Sequence, residues 1–196
     1  MSHYFIENRE ILTNERRLNL EIFGLSFKFL TNNGLFSCDK IDDVSRTFIE
    51  NLPPLSGTFL DLGCGYGVIG ITLAKKYGLT LIMSDINSLA LDYAVKNAKL
   101  NDVTAIAIHS DSFENISSTF NSITLNPPIH AGKETMVKMY KEAAQHLTPG
   151  GSFYVVIQKK HGAESTFKQL NEIFDGRCTV IYKRKGCFVY QCTKPS

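Results

Sequence analysis

Apolar and polar positions alternate with period two over residues 16–23 and 25–30, which predicts two half-exposed strands. Gly24 separates them, and Asn32-Asn33-Gly34 marks a second tight turn. A small antiparallel β unit is therefore expected ahead of the main fold, behind a polar lead segment opened by His3-Tyr4-Phe5-Ile6. Residues 40–51 place Ile41, Val44, Phe48 and Ile49 on one helical face, with Asp39 or a neighbour as cap and Pro53-Pro54 as terminator. Beyond this point short apolar runs alternate with helical patterns in the βαβ manner. Strands are expected over residues 59–62, 79–85, 102–108, 120–125 and 152–157. Helices are expected from Val68 and over residues 88–100, 133–147 and 163–173. The runs 177–182 and 187–191 flank Lys183-Arg184-Lys185-Gly186 and read as a hairpin, so the final strand is antiparallel.

Composition adds bounds. At 196 residues the chain reads as one domain, residues 1–38 forming a β extension and 39–196 an α/β core. A net charge of +2 permits a nucleic-acid partner without arguing for one. The five cysteines (Cys38, Cys64, Cys178, Cys187, Cys192) are odd in number and lack a CxxC pair. That favours free thiols in a reducing compartment over a disulfide framework or a zinc site, and no metal is expected. Without an apolar signal core or an 18-residue apolar run, the reading is cytoplasmic, with no membrane partner.

The chemistry starts at Phe59-Leu60-Asp61-Leu62-Gly63-Cys64-Gly65-Tyr66-Gly67, a strand running into an acid and three alternating glycines. Glycine accepts positive φ and lets backbone approach a ligand closely. Gly65-Tyr66-Gly67-Val68-Ile69-Gly70 formally matches the dinucleotide fingerprint, but that motif begins where the strand ends. Here Gly70 falls inside the following helix, where it serves close packing. Asp61 would also repel a pyrophosphate. S-adenosylmethionine (SAM), with a sulfonium and an ammonium group, suits an acidic loop. Asp85, at the end of the next strand, is placed to take both ribose hydroxyls, a role shared by SAM and NAD sites. Cys64, with no His nearby in sequence, reads as a small loop residue rather than a nucleophile.

The strand over residues 120–125 ends in Asn126-Pro127-Pro128-Ile129, and two prolines force the chain out of the sheet. The Asn126 amide and the Pro127 carbonyl then offer two acceptors at the mouth of a cleft. An exocyclic NH2 held by both has its lone pair aimed at a methyl carbon.

With these residues in view, the chain resembles class I SAM-dependent amino-methyltransferases. It is most similar to the RsmC-like family of small-subunit ribosomal RNA (guanine-N2)-methyltransferases. Gly34-Leu35-Phe36-Ser37 and Asn126-Pro127-Pro128-Ile129-His130-Ala131-Gly132-Lys133 carry that resemblance, which runs from about His3 to Cys192. Longer members carry an extra, degenerate half in front, and this chain resembles the catalytic half alone. The resemblance implies a seven-stranded, mostly parallel sheet of order 3-2-1-4-5-7-6 with helices on both faces. It implies cofactor contacts from Asp61, Gly63, Cys64, Gly65, Gly67, Asp85, Ile86, Asp111, Ser112 and Asn126. Asp111 would bind the adenine amino group, with Ser112 beside the ring. Asn126, Pro127, Pro128 and Ile129 would form the catalytic loop. Phe36, Ser37, His130 and Lys133 would face the substrate. Small-subunit ribosomal RNA, or the assembled small subunit, is the implied partner.

Methyl transfer to an aromatic amine needs neither a covalent intermediate nor a metal, and a developing positive charge on nitrogen is stabilised by close acceptors. Many amino-methyltransferases place an aromatic residue after Asn-Pro-Pro to stack on the base, whereas this chain has Ile129. The same chemistry on a protein glutamine amide or on DNA adenine, or a non-catalytic SAM- or RNA-binding module, are the competing readings. Arg16-Arg17, Lys159-Lys160-His161 and Lys183-Arg184-Lys185 are the basic runs available to nucleic acid.

Overall fold

The computed structural model describes residues 15–35 and 37–196. The lead segment that begins at His3, and Phe36, lie outside the described residues.

The chain opens with the expected hairpin, β1 (Glu15–Ile22) and β2 (Leu25–Asn32), paired antiparallel with Ile22 opposite Leu25. Its turn holds both Phe23 (φ 57°) and Gly24 (φ 72°) in the left-handed region, the geometry that matches the twist of a two-residue hairpin. Leu20, Ile22, Phe27 and Phe29 bury one face. The ring of Phe29 meets that of Tyr66 edge-on at 6.2 Å, so the hairpin packs against the glycine loop. The backbone of β2 is paired a second time, by side chains. Asn97 accepts from Leu30 N at 2.7 Å and donates to Leu30 O at 2.9 Å. Asn101, one helical turn later, does the same to Lys28 at 3.0 and 2.7 Å. Two amides at i and i+4 on a helix thus replace a neighbouring strand.

The turn over residues 32–34 forms as expected, with Asn32 O accepting from Leu35 N and Asn32 Oδ1 from Gly34 N. The helix α1 (Asp43–Asn51) begins three residues later than the pattern suggested and is capped by Asp42, not Asp39. Of the neighbouring acids, Asp42 has extended backbone (φ −67°, ψ 142°) and a carboxylate within reach of Val44 N and Ser45 N. Phe48 and Ile49 are buried, whereas Ile41 and Val44 are only half-buried.

The main sheet is built from β3 (Thr58–Leu62), β4 (Thr80–Asp85), β5 (Ala105–His109), β6 (Phe120–Leu125), β7 (Leu147–Gln158), β8 (Cys178–Arg184) and β9 (Cys187–Thr193). Its order is β5-β4-β3-β6-β7-β9-β8, the expected 3-2-1-4-5-7-6 when counted from β3. Only β9 runs against its neighbours. Between the strands lie α2 (Val68–Tyr77), α3 (Ser88–Leu100), α4 (Lys133–Gln145) and α5 (Ala163–Ile173). Both sheet faces are covered, which is why the central strands read as nearly continuous apolar runs. Phe59, Leu81, Met83 and Val156 belong to one core layer, and Leu60, Ile123, Leu125 and Val155 to the other. β5 starts at Ala105, not at residue 102, because Asp102 turns left-handed (φ 57°) and Val103 N still bonds Ala98 O in closing α3.

The cysteine expectation needs correction. Cys178 and Cys192 sit opposite each other on β8 and β9 and form a disulfide, with Cα atoms 4.1 Å apart. Cross-strand register brings together two residues whose spacing along the chain resembles no disulfide motif. Cys38, Cys64 and Cys187 are free. Among the described residues no helix is long and apolar enough to cross a membrane, and no cluster of metal-ligating side chains occurs.

Candidate active site

The site lies at the C-terminal edge of the parallel strands, where β3, β4 and β6 end side by side. Gly63 (φ 66°), Gly65 (φ 57°) and Gly67 (φ 92°) all take the left-handed conformation. A Cβ added at Gly65 meets nothing within 4 Å, so this stretch of backbone faces open space. At Gly70, inside α2, a Cβ would lie 2.9 Å from both Cβ and Oδ2 of Asp61. Gly70 is therefore a packing glycine.

Asp61 stands directly opposite Thr124 in the β3–β6 register. Its Oδ1 accepts from Thr124 Oγ1 at 2.9 Å and its Oδ2 from Gly70 N at 2.8 Å. It is 1 % exposed. Asp61, expected to contact the cofactor, joins the start of α2 to β6 through these two bonds. Burial raises its pKa to about 7, against the two hydrogen bonds, with a smaller push from Asp85.

Asp85 ends β4 and closes the loop from the other side. Its Oδ2 accepts from Gly65 N at 2.8 Å and its Oδ1 from Asn87 N at 2.9 Å. Burial raises its pKa as well, opposed by backbone donors and by His109. Each carboxylate oxygen keeps a lone pair beyond these bonds, which suits two further hydroxyl donors. Ile86 follows and is 39 % exposed, an apolar face at the rim of the site. His109 Nε2 bonds Ile86 O at 2.8 Å and fixes that turn.

Cys64 is held by its N–H to Ser84 O at 2.9 Å, and burial pushes its thiol well up, with Asp85 and Asp61 adding to the shift. It is an inert loop residue. Ser110 N donates to Asp85 O, which brings the loop bearing Asp111 alongside Asp85, and Asp111 is exposed there. The hydroxyl of Ser112, expected beside an adenine ring, is turned to α4, where it donates to Glu142 Oε2 at 2.5 Å.

Asn126 follows β6 directly and is half-buried. Its Nδ2 donates to Ser45 Oγ at 3.2 Å, and Ser45 Oγ in turn donates to Asp42 Oδ2 at 2.5 Å. With its only proton given to Asp42, Ser45 offers Asn126 lone pairs alone. The amide must therefore face Ser45 with its NH2, which leaves Oδ1 as a free acceptor. Asp42 and Ser45 escaped sequence reasoning, because Ser45 lies 81 residues upstream of Asn126 and carries no local signal of it.

Pro127 is buried and Pro128 half-buried. Ile129 opens a single 3-10 turn (Ile129–Ala131) and packs against the α4–α5 core layer. His130 and Lys133 are exposed beside it. Ser37 is drawn to the same mouth, since its carbonyl accepts from Tyr66 Oη at 3.3 Å. Tyr66, in the glycine loop, was also missed.

The fold and this arrangement define a SAM-dependent methyltransferase of the class I type. Residues 26–191 match the family model described as methyltransferase small domain. The chain is 37% identical over 198 residues to the uncharacterized protein YbxB of Bacillus subtilis (strain 168), covering 98% of both chains. It is 34% identical over 169 residues to ribosomal RNA small subunit methyltransferase C of Vibrio cholerae serotype O1, covering 82% of this chain and 48% of that protein. Among solved structures, the Thermus thermophilus 16S rRNA N2 G1207 methyltransferase (RsmC), in complex with AdoMet and guanosine, superposes with a TM-score of 0.83. Identity there is 27%, over 93% of this chain and 51% of that one. The chain belongs to the methyltransferase small-domain family, in its RsmC-like group, and spans about half the length of the ribosomal RNA methyltransferases it matches.

Proposed function

We propose that the chain transfers a methyl group from SAM to the exocyclic N2 amine of a guanine in small-subunit ribosomal RNA. The observation that carries this reading is the fixed amide of Asn126, whose Oδ1 is left as an acceptor at the rim of the glycine loop. The residues fit the cofactor: open space above Gly65, spare lone pairs on Asp85, and an exposed apolar face at Ile86. SAM, when bound, supplies a methyl group activated by its sulfonium. Asp85 would hold the ribose hydroxyls, and Asp111 the adenine amino group. Asn126 Oδ1 and the Pro127 carbonyl would each accept one N2 proton. The nitrogen lone pair is then aligned for in-line attack, forming the carbon–nitrogen bond as the carbon–sulfur bond breaks. The surplus proton would leave to water or to His130, which is exposed beside the loop.

The test is labelled-methyl transfer to unmodified small ribosomal subunits, naked ribosomal RNA and total cell protein, followed by nucleoside and peptide mass analysis. N2-methylguanosine in the RNA, absent with Asn126→Ala, is expected. Label on a glutamine side chain or on no acceptor would overturn the guanine assignment.

A further inference from the structure

Two basic runs that are distant in sequence meet at one edge of the sheet. β7 runs parallel to β6, so its C-terminal end lies at the edge where Asn126 emerges. Lys159, Lys160 and His161 form a 3-10 turn there. β9 pairs antiparallel with β7 so that Cys187 lies opposite Gln158, which returns the β8–β9 turn to that edge. Lys159 N donates to Gly186 O at 2.7 Å and ties the two segments together. Lys183, Arg184 and Lys185 therefore stand beside Lys159 around a shallow hollow of about 320 Å³, which also includes Glu164. Strand spacing of about 4.8 Å puts β9 and β8 roughly 10–15 Å from β6.

All six basic residues are exposed, and among the described residues no ion pair engages Lys159, Lys160, Lys183, Arg184 or Lys185. Arg16, Lys40, Arg46, Lys138 and Arg177 have a carboxylate partner, whereas Lys96 and Lys99, among other described residues, have none, so the ridge is set apart by its clustering. His130, in the Asn-Pro-Pro segment, is close enough to His161 to depress its pKa, after partial burial and Lys160. His161 and the candidate catalytic loop are thus neighbours, while the cations of the ridge are Lys159, Lys160, Lys183, Arg184 and Lys185. Unpaired cations held together repel one another, and a polyanion relieves that repulsion.

We propose that the β8–β9 tip and the turn after β7 form the surface that takes the phosphate backbone of RNA flanking the base presented to Asn126. This rests on the RNA reading given above. The ridge is sequence-blind: it orients the strand, while discrimination of the base falls to the Asn126 loop.

The test is direct binding of a short single-stranded RNA, measured by fluorescence anisotropy between about 50 and 200 mM salt. The wild type is compared with Lys183→Gln/Arg184→Gln/Lys185→Gln, with Lys159→Gln/Lys160→Gln, and with Lys96→Gln/Lys99→Gln on α3 as control. Loss of three phosphate contacts should make the log–log salt slope shallower by about 2 and weaken binding about tenfold or more near 0.1 M salt. The double variant after β7 should lose about two-thirds as much slope, and the α3 control should lose nothing. The proposal is overturned if the wild type does not bind, if both ridge variants bind with wild-type slope, or if the control loses as much. Thermal unfolding and SAM binding of the variants establish that the fold is intact. Methyl transfer by the wild type separates the two ideas. Transfer to RNA with unchanged slopes removes the ridge and keeps the activity. Shallower slopes without transfer to RNA keep the ridge and remove the activity.

Discussion

Ser45 Oγ accepts a hydrogen bond from Asn126 Nδ2 at 3.2 Å while donating its own proton to Asp42 Oδ2 at 2.5 Å. One carboxylate thereby does two things. It caps α1 through Val44 N and Ser45 N, and it sets the polarity of the hydroxyl against which the Asn126 amide, the proposed acceptor, rests. An amide bound in reverse would present NH2 to the incoming amine, donor against donor.

Removing the hydroxyl should therefore cost turnover more than binding. Ser45→Ala is expected to lower kcat about 10- to 100-fold, less than loss of a whole stabilising group. The SAM dissociation constant should stay near its wild-type value, and Ser45→Thr should restore most of the rate. Steady-state kinetics with calorimetric SAM binding decide this. An unchanged kcat in Ser45→Ala would show that the amide is oriented by other groups.

What was legible in the sequence was local. The alternation before Gly24, the strand–glycine–helix unit at Phe59–Gly70 and the paired prolines after Asn126 each carry their signal within about ten residues. They gave the strands and the site's edge, while the strand order came from the family resemblance. The clamp of Asn97 and Asn101 on β2 joins residues 67 and 73 positions apart, and neither asparagine departs from an ordinary helix pattern. The disulfide depends on cross-strand register, and the basic ridge on a parallel strand and a hairpin ending at one edge. Asp61 was found for its place, but its protein partners were not. Its type and position announced a loop acid, but only the Gly70 and Thr124 bonds reveal which way it faces.

Gly65 and Gly70 should separate ligand space from packing space. A methyl group at Gly70 meets Asp61 at 2.9 Å, and Gly70→Ala should destabilise the protein by about 1–3 kcal/mol, or roughly 3–10 °C in Tm. At Gly65 a methyl group meets no protein atom within 4 Å, leaving only the left-handed strain of about 1–2 kcal/mol. Gly65→Ala should nonetheless weaken SAM binding by about tenfold or more, because the added carbon enters the ligand's space. Thermal melts and SAM titrations on both variants give the comparison. Equal SAM affinities in Gly65→Ala and the wild type would put the cofactor elsewhere.

Asn97 links three parts of the molecule. Besides its two bonds to Leu30, its Nδ2 donates to Tyr66 O at 2.9 Å, so α3 holds both the hairpin and the glycine loop. Asn97→Leu leaves buried backbone groups without partners and should destabilise by about 2–4 kcal/mol. Hydrogen exchange at the Leu30 and Lys28 amides should accelerate far more than at β3 or β6. Uniform acceleration across the sheet would mean that the hairpin is not held by this amide.

Asp61 ties stability and cofactor binding to pH. Its folded pKa, raised to about 7 chiefly by burial, exceeds the ordinary carboxylate value of 3.8, so the native state holds the proton over that interval. The stabilisation from a neutral Asp61 is complete below the unfolded pKa and is lost as pH rises through about 7. Asp61→Asn can still accept from Gly70 N through Oδ1 and donate to Thr124 Oγ1 through Nδ2, and it does not ionise. The wild type should lose stability relative to Asp61→Asn as pH rises from about 4 to about 7, and little further above that, which urea unfolding measures. A cationic ligand favours the ionised carboxylate, so SAM should bind the wild type more tightly as pH rises through about 7, with proton release. Calorimetry in buffers of differing ionisation enthalpy reads that proton directly. Identical pH profiles for the wild type and Asp61→Asn, in both unfolding and SAM binding, would show that Asp61 carries a fixed charge and that the loop's pH response lies elsewhere.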